Sequence, residues 1–211
     1  MRKQRVIVYV DGFNFYYGLK QDSKWKRFYW LDIVGLFEMF MKPDQELLAV
    51  KYFSARPDEP GKNARQYAFF QANKENAKFQ LILGKYLSKQ IRCFNCGYII
   101  RTHEEKETDV RIATQIVADA YEQNCDVAIV VSADSDMVPA VELAKAAGRQ
   151  VYIYFPPNQY SSNLAAMANG RPILLNRYEA RFRQNLLPEK VHLKAANFDL
   201  AIPAKWQAFR K

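Results

Sequence analysis

Histidine and cysteine are scarce in this 211-residue chain: there are two of the first, His103 and His192, and three of the second, Cys93, Cys96 and Cys125. So few histidines leave no Ser/His/Asp constellation for nucleophilic catalysis. An odd handful of cysteines does not suggest a disulfide scaffold and points to a reducing, cytoplasmic setting. No run approaches the roughly 20 apolar residues that a bilayer crossing needs, so no membrane partner is expected. The basic start, Met1-Arg-Lys-Gln-Arg5, leads into an apolar run that Asp11 cuts short, which argues against a signal peptide. Internal repeats and low-complexity tracts do not stand out. Leu83-Gly84-Lys85 lacks the preceding glycine spacing of a phosphate-cradling loop.

What the chain does have is apolar bulk and positive charge. Hydrophobic residues make up 49% and aromatics 14%, ample for the core of one α/β domain. Thirty-one Lys and Arg against 22 Asp and Glu leave a net charge of +9. If several acids gather at one site, the remaining surface is more basic still. Such a field favours a polyanion, nucleic acid ahead of an anionic membrane surface.

Short apolar runs rich in β-branched residues predict strands at 5–10, 48–54, 79–84, 127–132 and 150–155, with a weaker one at 172–175. Helices are predicted at 31–41, 62–77, 108–123 and 136–147, with shorter ones at 161–168 and 178–184. Strands alternating with helices argue for a mostly parallel sheet covered on both faces. The main α/β unit is expected over 1–184, interrupted at 85–107 by an inserted hairpin or loop that carries the first two cysteines. Residues 185–211 lack a clean period and read as an appended basic arm.

Two of the predicted strands end on carboxylates. Val6-Ile-Val-Tyr-Val10 stops at Asp11, and Val127-Ala-Ile-Val-Val131 is followed by Asp134 and Asp136. In open parallel sheets, ligands bind beyond the carboxyl ends of the strands, so these acids can converge. Grouped carboxylates do not stay ionised together without a cation or protons, which makes a divalent metal the first expectation. Pro139 confines the helix start to about Ser135 or Asp136, because proline fits only the first turn. Asp109, opening the helix after Thr108, is the third element.

Asp11-Gly-Phe-Asn14, Lys106-Glu-Thr-Asp-Val110 and Val131-Ser-Ala-Asp-Ser-Asp136, in that order, resemble the three motifs of the NYN domain family, in the PIN-like nuclease superfamily. The resemblance spans roughly residues 5–178 and implies a three-layer α/β/α sandwich. It makes Asp11, Asp109, Asp134 and Asp136 metal-binding acids, with Asn14 orienting a ligand or water and Ser132 hydrogen-bonding near metal or phosphate. One departure is Asn169, where an aspartate is expected in many relatives. Oxygen donors suit Mg²⁺ or Mn²⁺. The activity so implied is a metal-dependent ribonuclease, endonucleolytic on single-stranded or loop RNA. The alternatives are an RNA-binding regulatory module without turnover and a flap-type DNA nuclease.

Three further features carry expectations. Cys93-Phe-Asn-Cys96-Gly97 has the spacing of a zinc knuckle, and His103 is a third ligand candidate, although tetrahedral zinc takes four. Lys24, Trp25, Lys26 and Arg27 lie in an interleaved basic and aromatic stretch that could track phosphates and stack bases. Arg56, Lys62 and Arg65 form a second phosphate-contacting candidate near the end of the second strand. A homodimer is compatible with these features and required by none.

Overall fold

The computed structural model describes residues 2–57 and 59–210, with backbone alone at 86–89, 91 and 100–105. The chain runs β1 (Gln4–Asp11), α1 (Gly12–Gln21), α2 (Ile33–Glu38), β2 (Gln45–Ser54), α3 (Pro60–Lys74) and β3 (Phe79–Leu83). A hairpin, β4 (Lys85–Arg92) and β5 (Ile99–Lys106), precedes α4 (Thr108–Tyr121), β6 (Val127–Val131), α5 (Val138–Ala146) and β7 (Gln150–Phe155). Then come α6 (Ser162–Ala166), β8 (Ile173–Leu174), α7 (Glu179–Gln184), β9 (Lys190–Leu193), β10 (Phe198–Ala201) and α8 (Ala204–Gln207).

Six strands form one parallel sheet in the order β3-β2-β1-β6-β7-β8. Both faces are covered, as the unbroken apolar strands require. Val6, Val8 and Val10 of β1 pack on one side with Phe15, Leu36 and Phe70. Ile7 and Tyr9, the alternate positions, pack on the other with Ile112, Ile116 and Val141. A strand that is apolar on both faces reads as continuous because successive side chains leave opposite sides of the pleat. The result is an α/β/α sandwich. The inserted segment is an antiparallel hairpin in register from Lys85↔Lys106 to Arg92↔Ile99, a two-stranded sheet of its own.

Two expectations meet a different arrangement. The aromatics of residues 20–30 are core: Trp25 is 2% exposed and packs edge-on against Phe182, with Phe28 beside both. Burying each such ring contributes roughly 2–3 kcal/mol, so Trp25 is committed to the fold and is not offered to bases. Lys26 and Arg27 keep solvent contact, and Lys24 pairs with Glu179 at 3.5 Å. The segment read as an arm folds back as the β9–β10 hairpin and α8, and plants Ile202 and Trp206 in the core. Trp30 Nε1 donates to the Pro188 carbonyl at 2.8 Å, and Arg210 donates to the Leu187 carbonyl at 2.6 Å.

Beneath α4 lies a buried ion pair. Lys51 Nζ donates to Asp119 Oδ2 at 2.6 Å, and the Tyr9 hydroxyl donates to the same oxygen at 2.8 Å. Asn124 supplies the other carboxylate oxygen with a donor at 3.0 Å. A charge so enclosed is stable only when paired and hydrogen-bonded.

Candidate metal centre

β1 and β6 are neighbours, and the sheet grows away from them in opposite directions, through β2 on one side and β7 on the other. Their carboxyl ends therefore border a topological switch point, the crevice where open α/β sheets place ligands.

Asp11 ends β1 and caps α1. Its Oδ1 accepts the backbone N–H groups of Phe13 at 3.1 Å and Asn14 at 3.0 Å, two of the orphan donors at the helix start. Its Oδ2 accepts from Asn14 Nδ2 at 2.6 Å and from Ser132 Oγ at 2.9 Å. The Ser132 hydroxyl in turn accepts the Asp134 N–H at 3.0 Å, and Asn14 Oδ1 accepts the Ala133 N–H at 3.3 Å. Asn14 and Ser132 thus clasp the β1 and β6 loops together. Gly12 lets the start of α1 lie against the end of β2: a Cβ there would lie 2.4 Å from the Phe53 carbonyl oxygen and 2.6 Å from the Tyr52 ring.

Asp134 caps the short turn Ser135–Met137 by accepting the Asp136 N–H at 2.9 Å. Asp136 itself is exposed. Asp109 opens α4 on the same side. Partial burial first, then the charges of Asp11, Asp134 and Asp136, push its pKa up to about 6. Asp11 is also raised, chiefly by burial, although its donors act against that shift. The four acids therefore share one electrostatic neighbourhood, with Asp109 feeling all three of the others.

The backbone that delivers Asp109 is strained. Glu107 adopts φ +75°, unfavourable for a side chain with a Cβ, and ion pairs to Lys85 and Arg111 at 2.8 Å brace it. Gly84 makes room for the turn, since a Cβ there would sit 2.5 Å from Thr108 Oγ1. Thr108 Oγ1 is buried without a hydrogen-bond partner. None of this was visible in the sequence, where Gly84 drew notice only as a failed phosphate loop.

All-carboxylate donors match a hard divalent cation, which would offset both the burial and the neighbouring charges that raise Asp109. Among the described residues, no three His, Cys, Asp or Glu side chains stand together closely enough to hold a metal ion as they are. Asp11 explains part of this: its two oxygens accept four hydrogen bonds, about the full lone-pair capacity of a carboxylate. Direct ligation by Asp11 would require it to release a donor. Mg²⁺, which keeps several of its waters, needs few direct protein ligands.

The other expected residues fall elsewhere. Asn169 pairs with Val151 at the start of β7, accepting its N–H at 2.7 Å, at the end of the sheet away from the acids. Arg56 lies over the Tyr67 ring at 6.0 Å, and Lys62 pairs with Glu59 at 2.6 Å. In the hairpin turn, the Cys93 thiol receives the N–H groups of Cys96 and Asn95, which lower its pKa, and Gly97 closes the turn at φ +69°. This supplies two of the four ligands that tetrahedral zinc takes. The His103 side chain lies outside the described residues, and Cys125 is buried 4.0 Å from the Tyr9 hydroxyl.

With this arrangement in view, the relatives can be placed. The NYN domain family matches residues 5–175, and the chain belongs to it, which puts it within the PIN-like nuclease superfamily. It is also 28% identical over 177 residues to 6-hydroxy-3-succinoylpyridine 3-monooxygenase HspA of Pseudomonas putida, a match covering 67% of this chain and 56% of the relative. The chain thus spans little more than half the length of that protein. The crystal structure of a protein of unknown function from Vibrio parahaemolyticus superposes with a TM-score of 0.54 at 19% identity, covering 82% of this chain and 94% of that one. That likeness speaks for the fold alone. No described helix is long and apolar enough to cross a membrane.

Proposed function

We propose that the protein is a Mg²⁺- or Mn²⁺-dependent ribonuclease that hydrolyses phosphodiester bonds within single-stranded or loop RNA. The observation that supports this reading is the position of Asp11 and Asp134 beyond the ends of adjoining strands, where the charges of Asp11, Asp134 and Asp136 add to the burial that raises Asp109 to about 6. Asp109, Asp134 and Asp136 would hold the ion directly, and Asp11 directly or through water. A cation there supplies polarisation of the scissile phosphodiester and a lowered pKa for the attacking water. Ser132 and Asn14 keep Asp11 oriented and the two loops in register. The net charge of +9 draws the polyanion to the surface around this acidic spot.

Two observations favour a second reading, an RNA-binding module without turnover: the hydrogen-bond saturation of Asp11, and the lack among the described residues of three acids grouped closely enough to hold a metal ion. Labelled RNA incubated with Mn²⁺, beside an Asp11→Asn/Asp134→Asn variant, separates the two. Cleavage by the parent alone supports the nuclease. Salt-dependent RNA binding with no cleavage by either protein supports the module, and equal cleavage by both means a contaminating nuclease.

A further inference from the structure

Next to the acid loops, on the α1 and α3 side of the sheet, opens a cavity of about 400 Å³. Its size lies within the roughly 300–1,000 Å³ typical of sites for small ligands. Tyr16, Tyr17 and Phe69 supply aromatic wall, with Tyr17 open to solvent. Gly12, the residue after Asp11, is also part of the lining, so cavity and acid centre share the start of α1.

Two features give the cavity a chemical preference. The first is Gln66, which lines it: its Nε2 donates to Ser54 Oγ at 3.0 Å, while its Oε1 is buried with no hydrogen-bond partner. An unpartnered buried acceptor is costly and calls for a ligand donor. The second is charge. Lys20, Lys62 and Arg65 lie on the lining, against the single acid Glu59, which is already paired with Lys62. Aromatic walls, an amide acceptor and a cationic margin together suit a planar heterocycle that carries an N–H and an adjoining anion.

We infer that this cavity takes one unpaired nucleobase of an RNA strand, with its adjoining phosphate at Lys62 and Arg65. The inference rests on the ribonuclease reading and deepens it. Seating one base beside Gly12 leaves the next stretch of backbone at the carboxyl end of β1, where Asp11 stands. Aromatic contact with the base tolerates any sequence, and the Gln66 amide adds a preference for bases that present an N–H donor to it. The same ring-plus-anion chemistry occurs in small heteroaromatic acids, so the test includes one.

Metal-free protein is titrated by calorimetry with nucleoside monophosphates, the matching nucleosides, inorganic phosphate and pyridine-3-carboxylate. At least one monophosphate is expected to bind about tenfold or more tighter than its nucleoside or phosphate alone. Gln66→Leu and Arg65→Ala are each expected to weaken that binding roughly 5–10-fold, as loss of one hydrogen bond or charge contact does. Their thermal midpoints should stay close to the parent's, which separates lost binding from lost folding. Absence of saturable nucleotide binding overturns the inference, as does indifference of binding to both variants. Tighter binding of the pyridine acid than of every nucleotide also overturns it, and assigns the cavity to a small molecule. Cleavage of RNA with Mn²⁺ is scored in parallel. Nucleotide binding without cleavage sinks the nuclease and keeps the cavity, whereas cleavage without nucleotide binding does the reverse.

Discussion

Asp11 and Asp119 are buried alike, at 2% and 1% exposure, and yet the protein treats them in opposite ways. For both, burial alone raises the pKa. Around Asp119, the hydrogen bonds from Lys51, Asn124 and Tyr9 more than offset this, and the net shift is downward. Around Asp11 the hydrogen-bond donors are neutral, the charge of Asp134 adds to the strain, and the net shift is upward. One aspartate has its counter-ion built into the sheet. The other, at the switch point, is held by neutral donors. A fold selected for stability alone pairs its buried charges, so the member held by neutral donors marks where an external cation would do most.

The contrast can be broken most sharply through activity. Asp134→Asn should lower Mn²⁺-dependent RNA cleavage by more than the roughly 100-fold that loss of an outer-shell partner costs. Asp119→Asn should leave cleavage per folded molecule within a few-fold of the parent. Equal losses in both variants would mean that the acids at the switch point have no special role.

Stability gives the reverse ranking. Lys51→Met strands Asp119 without its cation and should destabilise the fold by about 3–5 kcal/mol in urea unfolding. The double change Lys51→Met/Asp119→Leu should recover most of that loss, because no uncompensated charge remains. Next in size is Gly12→Ala. Its Cβ would meet the Phe53 carbonyl oxygen at 2.4 Å, so β2 or α1 must shift, at about 1–3 kcal/mol. The same shift should loosen the clasp on Asp11 and reduce cleavage beyond what the lost stability explains.

The smallest expected effect is on the pH profile of thermal unfolding. Asp109 has a folded pKa of about 6 against an ordinary 3.8, so the folded protein keeps a proton that the unfolded chain loses between those values. Metal-free stability should therefore fall as pH rises across that window and then level off. The lowered Asp119 acts oppositely: its contribution is complete above the ordinary 3.8 and is lost as pH falls through the folded value. Mn²⁺ should raise the midpoint most above about pH 6 and leave the acid limb unchanged. A midpoint indifferent to Mn²⁺ at high pH would remove the cation from the site.

How legible all this was depended on the kind of signal. Strands such as Val127–Val131 declared themselves because a two-faced buried strand must be apolar at every position. The inserted hairpin showed as a break in the alternation. The helix predicted at 31–41 proved shorter, Ile33–Glu38, because Asp32 caps it from outside and the chain tightens after Phe37. Interleaved lysines and aromatics in residues 20–30 were ambiguous, since composition does not tell which way a ring turns. Packing turned Trp25 inward. Gln66 gave no sign at all, because its meaning lies in a missing partner, and only coordinates reveal that.

By itself the sequence determined where carboxylates end strands, and the ordered triplet around Asp11, Asp109 and Asp134 carried the family. Those signals are local: a strand and the turn after it are specified by neighbours a few residues apart. Tertiary structure decided that Ser132 reaches Asp11 across 121 positions of chain, that Lys51 finds Asp119 while neutral donors find Asp11, and that a cavity opens beside Gly12. Electrostatic energy depends on separation in space and on exclusion of water, and neither quantity exists until the sheet has closed its order.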